Sequence, residues 1–379
     1  MVRKYKNNQL YLKNLSIFQF KNHTNSLFNF NNSVNCFVGK NGAGKTNILD
    51  AIHYLGSTKS YFNRVDSQNI QFNQKLFIIK GIYDKNNDND EVHCSFTEND
   101  GKTIKVNNKK YKKFSNHIGK YPTIIISPTD TNLIIEGSDV RRKYIDSTIS
   151  QFKPGYLNTL IQYNKALKQR NSLLKYFTEK NIFDENTLSI YDHQLINLGN
   201  SIYAERKDIL KRIIPVFKTY YKEISSSNES VDLIYKSDLS EENYSDLLKK
   251  SIIKDRYSQY TSTGIHKDDI IFKMNDYSIK KTGSQGQQKS FLIALKLAQF
   301  DFTSSQLGFK PILLLDDIFD KLDDERIERI ISYVRKNIFN QVFITDTHKQ
   351  RSKEILTKSG VDFKIHEINQ NIYSSNHEI

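Results

Sequence analysis

Residues 38–47 read Val-Gly-Lys-Asn-Gly-Ala-Gly-Lys-Thr-Asn, which matches the phosphate-binding loop pattern G-x-x-x-x-G-K-[ST]. The apolar segment before this loop predicts a strand, and the apolar residues after it recur at helical spacing. A glycine-rich turn in this position directs backbone N–H groups and the positive end of a helix dipole at phosphate oxygens. The loop residues predicted to bind a nucleotide are Gly39, Lys40, Asn41, Gly42, Ala43, Gly44, Lys45, Thr46 and Asn47.

Two side chains of this loop carry its predicted chemistry. Lys45 is expected to reach the β- and γ-phosphates, and the Thr46 hydroxyl to complete the shell of a magnesium ion. ATP and Mg²⁺ are therefore the predicted cofactors. The alternative interpretation is an ordinary glycine-rich turn between a strand and a helix.

A pair of carboxylates after the apolar run 312–315 predicts the second half of the site. Four apolar residues that end in Asp316 and Asp317 indicate a central parallel strand, and ligands of α/β sheets bind at the carboxyl ends of such strands. Asp316 is predicted to hold Mg²⁺ through water or Thr46. Asp317 is predicted to act as general base on the attacking water. The alternative is that both acids cap the next helix.

Two further stretches supply candidate residues. Residues 341–345 predict another parallel strand, and His348, a few positions beyond it, is a candidate catalytic residue that would sense the γ-phosphate. A separate apolar helix begins after a serine that suits an N-cap, and helix N-termini bind anions. The candidate phosphate contacts of this signature are Ser284, Gln285, Gly286 and Gln287.

Composition narrows the class of partner and the compartment. The chain has 379 residues, a net charge of +14 and a pI near 9.3, which favours a nucleic acid or an anionic membrane surface as partner. A lysine- and asparagine-rich composition bias is the alternative explanation. Two separated cysteines predict neither a disulfide framework nor a zinc cluster, and they suit the cytoplasm. The N-terminus shows no signal peptide, and no apolar run is long enough to cross a bilayer.

The order of the predicted elements indicates an α/β fold with an inserted helical lobe. Residues 1–140 are predicted to form the first half of the nucleotide-binding head, with antiparallel strands, and residues 256–379 the second half. Residues 141–255 are predicted to form an α-helical lobe that contains two antiparallel helices. The segments 10–20, 28–30 and 34–38 are together predicted to form an N-terminal sheet that leads into the phosphate-binding loop.

The motifs in this order resemble an ABC-type ATPase head of the SMC kind and, more narrowly, the RecF family of bacterial recombination and gap-repair proteins. The resemblance rests on 39–47, on Ser-Gln-Gly-Gln at 284–287 and on Leu-Leu-Leu-Asp-Asp at 313–317 with Leu322 and Asp323. Supporting stretches lie at 47–55, 127–128, 137–142, 167–171, 264–269 and 294–299, so the match covers nearly the whole chain. Ile265 stands where the family usually has proline.

The resemblance implies a mechanism and partners. It implies an ATP-dependent head-to-tail homodimer in which the signature of one subunit covers the ATP held by the other. It also implies binding to gapped or junction DNA, work with RecO- and RecR-like mediator proteins, and slow ATP hydrolysis that releases the DNA. Asp317, where most ABC ATPases have glutamate, favours a slow, switch-like ATPase.

Several alternatives stay open at the level of sequence. A transporter nucleotide-binding subunit, a structural SMC-type tether and a nuclease-coupled ATPase share some of these motifs. Gln68 or Gln71 is a candidate Mg²⁺-sensing residue, and the turn containing Asn22 and His23 is a candidate contact to adenine or phosphate. The candidate DNA contacts, by charge alone, are Lys59, Arg64, Lys109, Lys110, Lys112 and Lys113.

Overall fold

The computed structural model describes residues 9–225, 229–318, 324–336 and 338–369. In chain order its strands are β1 Leu10–Phe20, β2 His23–Asn29, β3 Val34–Val38, β4 Leu76–Lys85, β5 Asp88–Thr97, β6 Gly101–Val106, β7 Lys109–Lys110, β8 Thr123–Ile126, β9 Val231–Lys236, β10 Asp269–Met274, β11 Tyr277–Ser278, β12 Ile312–Leu315, β13 Val342–Asp346 and β14 Phe363–Glu367. Its helices are α1 Lys45–Ser57, α2 Asn132–Ile135, α3 Ser138–Phe152, α4 Tyr156–Lys180, α5 Glu185–Ser225, α6 Tyr244–Ser258, α7 Ile279–Thr282, α8 Gln285–Leu307, α9 Asp324–Arg335 and α10 Lys349–Ser359.

The described residues divide into two units. The first comprises the described residues within Met1–Asp130, Glu223–Ser225 and Gln299–Ile379, and the second those within Thr131–Lys222 and Ser226–Ala298. This division differs from the predicted boundaries at 140 and 255. The second unit extends beyond the predicted helical lobe, because β9 pairs with β10 and because Arg141 of α3 binds Asp269 of β10. The signature residues therefore belong to the second unit.

The first unit contains a parallel sheet in the order β14-β3-β13-β12-β8. All of its pairings are parallel, and β3, β8, β12 and β13 are buried along their whole length. Strands buried on both faces are continuous apolar runs, which is the pattern that predicted them. The α/β fold is thereby confirmed.

An antiparallel sheet in the order β2-β1-β4-β5-β6-β7 completes the first unit. Helix α1 shares one buried apolar core with both sheets, including Leu15 of β1, Ile52 of α1 and Leu314 of β12. The prediction that β3 belongs to the N-terminal sheet is wrong, because β3 pairs with β13 and β14. Its position between two parallel strands brings the phosphate-binding loop to the carboxyl edge of the parallel sheet.

The second unit is built around two long helices and a small sheet. Helices α4 and α5 are joined by residues 181–184, and Arg170 of α4 binds Asp192 of α5 at 2.6 Å. This pairing across a short connection matches the predicted pair of antiparallel helices. Pro215 lies inside α5, which continues to Ser225 although proline removes one backbone donor. The sheet has the order β11-β10-β9.

Both cysteines are buried in the first unit, one in each sheet. Cys36 lies in β3 and Cys94 in β5, and neither forms a disulfide. Burial raises the pKa of each thiol to about 12. Among the helices of the described ranges, none has the length and apolar character that crossing a membrane requires.

His117 is a buried histidine that we expect to make folding of the first unit sensitive to acid. Its Nε2 donates to the Leu55 carbonyl at 2.6 Å, while its buried Nδ1 has no partner among the described residues. Burial lowers the pKa of this ring from 6.5 to about 4. Between these values the unfolded chain binds a proton that the folded ring does not. The contribution of the neutral ring to the unfolding free energy is therefore complete above pH 6.5 and is lost as the pH falls toward 4.

We therefore expect the replacement His117→Gln to reduce the acid sensitivity of folding. At pH 5 the ring should contribute about 2 kcal/mol of the loss in unfolding free energy relative to pH 7, at about 1.4 kcal/mol per pH unit. Urea unfolding of both chains at pH 7 and pH 5 measures this contribution, with replacement of the exposed His193 by glutamine as the matched control. Equal losses in the wild-type chain and in His117→Gln would contradict it.

Candidate nucleotide-binding site

The phosphate-binding loop connects β3 to α1 in the first unit. Gly44 is the N-cap residue of α1. Its φ is +104°, and it has no side chain that could cap the helix. A Cβ atom at this position would lie 2.7 Å from the side chains of Asn22 and His23, and the positive φ disfavours any other residue. Gly44 thus offers no side-chain acceptor to the N–H groups of the first turn of α1, which suits an anion-binding helix start.

Lys45 folds back over this loop. Its Nζ donates to the carbonyl oxygens of Gly39 at 2.7 Å and Lys40 at 2.9 Å, and the side chain is buried. These two bonds hold the ammonium next to the backbone of the loop. Positive charge is therefore concentrated at the place where the loop would receive phosphate.

Asp316 follows β12 and is held by three hydroxyl groups. Its Oδ1 accepts from Thr46 Oγ1 at 2.8 Å and from Thr345 Oγ1 at 2.9 Å, and its Oδ2 accepts from Ser127 Oγ at 3.3 Å. Burial raises the pKa of the Asp316 carboxyl, while the three hydroxyl donors oppose this effect. The structure thus joins the two halves of the predicted site through the bond between Thr46 and Asp316.

Asp317 lies beside this carboxylate in an uncommon backbone conformation. Its φ is +50°, and its N–H donates to Thr345 Oγ1 at 2.8 Å. Thr345 at the end of β13 is therefore bonded to both acids. This arrangement fixes the backbone of Asp317 where its side chain lines the cavity of the site.

The cavity has a volume of about 230 Å³ and brings most of the predicted phosphate-binding loop together with Asp316 and Asp317. Residues Asn41, Gly42, Gly44, Lys45, Thr46, Asn47, Pro128, Asp316, Asp317 and Thr345 line it. Sequence reasoning missed Ser127, Pro128 and Thr345 as parts of this site. Only their position in the sequence could have identified them. Each lies at the carboxyl end of a short buried strand, and those ends meet at one edge of a parallel sheet.

The residues present fit both predicted cofactors. A phosphate chain fits the glycine loop, because Gly44 places no side chain over the N–H groups that begin α1 and Lys45 supplies the cation. Mg²⁺ fits the oxygen donors Thr46 and Asp316, since this ion is commonly held by one or two protein oxygens together with phosphates and water. In the described ranges no group of three or more acidic, histidine or cysteine side chains forms a metal cluster, so phosphates and water would supply the remaining ligands.

The turn containing Asn22 and His23 supports the loop. Asn22 Nδ2 donates to the Gly42 carbonyl at 3.2 Å, and its Oδ1 accepts from Asn47 Nδ2 at 2.7 Å. His23 Nε2 lies 3.1 Å from the Gly44 carbonyl, and burial lowers the pKa of this ring, which favours the neutral form. Direct contact of this turn with a nucleotide stays a prediction.

Three other candidates lie apart from the residues that line the cavity. Gln71 Nε2 donates to Thr24 Oγ1 at 2.9 Å, and Gln68 is exposed. His348 is exposed directly before α10. In the described part of the chain none of these glutamine and histidine side chains lines the cavity, so their roles stay predictions.

The signature residues begin α8 in the second unit. The Ser284 N–H donates to Gln287 Oε1 at 2.6 Å, and the Gln287 N–H donates to Ser284 Oγ at 3.2 Å, which together form a capping box. Ser284 is thus the predicted N-cap, and Ser284 and Gln285 are exposed. The Leu322 and Asp323 part of the family pattern lies outside the described residues.

His266 and Asp268, which lie in the family stretch 264–269, belong to a buried polar network of the second unit. Asp268 binds Arg206 at 3.1 Å, and Arg206 also binds Asp146 at 2.8 Å. His266 Nδ1 lies 2.8 Å from Tyr163 Oη. These contacts are internal to the second unit and give both residues a structural role.

The basic side chains proposed by charge as DNA contacts are all exposed in the first unit. Lys109 and Lys110 form β7 at the edge of the antiparallel sheet, and Lys59 and Arg64 lie in the segment after α1. Their exposure permits contact with a polyanion. Their role as DNA contacts stays a prediction.

Comparisons with known proteins identify the family of this chain. A family model described as the RecF/RecN/SMC N terminal domain matches residues 11–370. The DNA replication and repair protein RecF of Flavobacterium johnsoniae is 50% identical over 94% of this chain and 99% of its own length. The protein of that name from Bacteroides thetaiotaomicron is 41% identical over 95% of this chain and 97% of its own length.

Solved structures give the same result for the fold. One described as the recombination mediator protein RecF-ATP in the RecFOR pathway has a TM-score of 0.87 and 31% identity, and 98% of each chain is covered. An Smc head domain derived from Pyrococcus furiosus has a TM-score of 0.55 at 16% identity over 95% of this chain and 94% of its own, a likeness of fold alone. The chain therefore belongs to the RecF family, whose members share the ATPase-head fold of SMC proteins.

Proposed function

We propose that this chain is an ATP-dependent DNA-binding protein of DNA replication and recombinational gap repair. The observation that carries the proposal is the cavity that places Lys45, Thr46, Asp316 and Asp317 together. Relatives named as DNA replication and repair proteins, and a similar structure described with ATP, support the same function. Membership of this family disfavours the transporter and nuclease alternatives.

The proposed reaction is slow hydrolysis of ATP. Lys45 would bind the β- and γ-phosphates, and Thr46 and Asp316 would hold Mg²⁺, which would neutralise phosphate charge when bound. Asp317 would orient the attacking water and accept its proton. His348 would sense the γ-phosphate only after a rearrangement that brings it to the cavity.

The proposed switch is a head-to-tail homodimer that closes when ATP binds. The exposed N-terminus of α8 at Ser284 would contact the nucleotide held by a second copy, because a helix start favours anions. Hydrolysis would then open the dimer and release the DNA. Gapped or single/double-strand junction DNA is the proposed substrate, with RecO- and RecR-like mediators as partners in the cytoplasm.

DNA binding through the phosphate backbone would suit the charge of the chain. A net charge of +14 supports contacts that do not depend on base sequence. Affinity should therefore fall steeply as salt is raised, because each neutralised phosphate releases counterions. Titration of labelled gapped DNA between 50 and 200 mM salt, about the range over which such contacts weaken strongly, measures this dependence.

The replacement Asp317→Asn should separate ATP binding from hydrolysis. We expect kcat to fall about 100-fold or more, the range for loss of a general base, while ATP still binds. Light scattering with ATP, Mg²⁺ and gapped DNA should show a dimer that persists longer than the wild-type dimer. Asp139→Asn, which removes an exposed carboxylate of α3, is the control. A monomer in all conditions would contradict the proposed switch.

A further inference from the structure

A ring of hydrogen bonds connects α1 to the carboxylate of Asp316 by two routes. The short route is the bond of 2.8 Å from Thr46 Oγ1 to Asp316 Oδ1. The long route leaves α1 four residues after Thr46 and returns to the other oxygen of Asp316. Its members are Asp50, Tyr61, Asp130 and Ser127.

The long route begins at a buried carboxylate on α1. Asp50 Oδ1 accepts from the Tyr61 N–H at 2.7 Å, and Oδ2 accepts from Ser60 Oγ at 2.6 Å. Lys21 Nζ lies 2.5 Å from the same Oδ2 and offsets the buried charge. The backbone at Ser60 and Tyr61 is therefore attached to the helix that begins with the phosphate-binding lysine.

The route then crosses to the turn after β8. The Tyr61 hydroxyl donates to Asp130 Oδ1, and Asp130 Oδ2 accepts from the Ser127 N–H at 2.9 Å. Ser127 Oγ donates to Asp316 Oδ2 at 3.3 Å, which closes the ring. Each carboxylate oxygen of Asp130 thus serves a different neighbour, so this side chain fixes the turn at 127–130 relative to the segment after α1.

We propose that Tyr61 and Asp130 are positioning residues for Asp316. They hold Ser127 so that it fixes one carboxylate oxygen, and the other oxygen stays directed at Thr46, where Mg²⁺ would bind. The sheet places the backbone of Asp316, through the bond from its N–H to the Ile126 carbonyl at 2.8 Å, and Thr345 of β13 holds Oδ1, whereas Oδ2 depends on Ser127. Removal of a group that orients a metal ligand in this way typically lowers metal affinity or activity by about 10- to 100-fold.

The test is the replacement Tyr61→Phe, which removes one hydroxyl and keeps the ring. The first readout is the gain in ATP affinity when Mg²⁺ replaces EDTA, followed with a fluorescent ATP analogue, and we expect this gain to fall about tenfold. Affinity in EDTA should stay within about twofold, since the contacts of Lys45 are unchanged. Tyr121→Phe is the matched control, because it removes a tyrosine–carboxylate bond of 2.8 Å to Asp90 in the same unit.

A double-mutant cycle with Ser127→Ala tests the route itself. If Tyr61 acts through Ser127, the double variant should lose no more of the Mg²⁺-dependent gain than Ser127→Ala alone. Additive losses, or an unchanged gain in Tyr61→Phe, would overturn the proposal. A lower unfolding midpoint with an unchanged Mg²⁺-dependent gain would likewise reduce Tyr61 to a structural role.

A second readout rests on the proposed function. The kcat for ATP hydrolysis should fall about tenfold in Tyr61→Phe with little change in KM for ATP. If the wild-type chain gains affinity from Mg²⁺ but hydrolyses no ATP, the proposed ATPase activity is contradicted, whereas a tenfold smaller gain in Tyr61→Phe would still support the positioning ring. A wild-type chain without that gain would overturn the ring.

Discussion

Replacing Lys45 by alanine should remove ATP binding almost completely. We expect affinity to fall at least about 100-fold, equivalent to about 3 kcal/mol, the upper range for a hydrogen bond to a charged group. The reason is that Lys45 is the cation held inside the loop by the carbonyl oxygens of Gly39 and Lys40. Without it, the negative charge of the phosphates would be met only by backbone N–H groups and the helix dipole.

Equilibrium binding of a fluorescent ATP analogue measures this loss. Lys75→Ala, which removes an exposed lysine of the same unit, controls for the change in net charge. The unfolding midpoint of Lys45→Ala should stay close to the wild-type value in the absence of nucleotide, which excludes a collapsed loop as the cause. Retention of ATP affinity within a few-fold would mean that the cavity is not the nucleotide site.

Replacing Arg206 by methionine should strongly destabilise the second unit. Arg206 Nε and Nη2 donate to Asp146 at 2.9 and 2.8 Å, and Nη1 donates to Asp268 at 3.1 Å. Removal of the guanidinium leaves two carboxylates without their cation in a buried region. We expect the unfolding free energy to fall by about 3–5 kcal/mol, the range for removing one partner of a buried ion pair.

A control on the same helix makes this measurement specific. Arg212 pairs with Asp208 at 3.2 Å on the exposed surface of α5, and Arg212→Met should change stability by less than about 1 kcal/mol. Urea unfolding followed by far-UV circular dichroism compares the two variants at pH 7. Equal effects of both replacements would show that the buried network contributes little to stability. The pKa of Asp268 is already raised by burial, so loss of Arg206 should favour its protonated form.

Local patterns predicted the phosphate-binding loop and the parallel strands because both signals are contiguous in sequence. A run such as Ile312–Leu315 must be buried on both faces, and the acids that follow it then lie at the edge where ligands bind. The grouping of β3 with the N-terminal strands failed for the same reason. Neighbours in sequence were taken as neighbours in the sheet, whereas β3 pairs with strands more than 300 residues away.

The polar residues that support the site could not be predicted. Ser127 and Thr345 meet Asp316 only because three strands from distant parts of the chain lie side by side. The sequence does not predict the burial of Arg206 either, since an arginine on a long helix is usually solvated. Its burial depends on the carboxylates of Asp146 and Asp268, which sequence alone does not bring together.

The two buried thiols have a practical consequence for chemical labelling. Because the thiolate is the reactive form, a pKa of about 12 makes Cys36 and Cys94 nearly inert to alkylating reagents while their sheets are intact. A cysteine introduced on the surface can therefore carry a dye or a cross-linker without removal of the native pair. The native thiols would in turn report opening of the first unit, because each becomes reactive only when its own sheet opens.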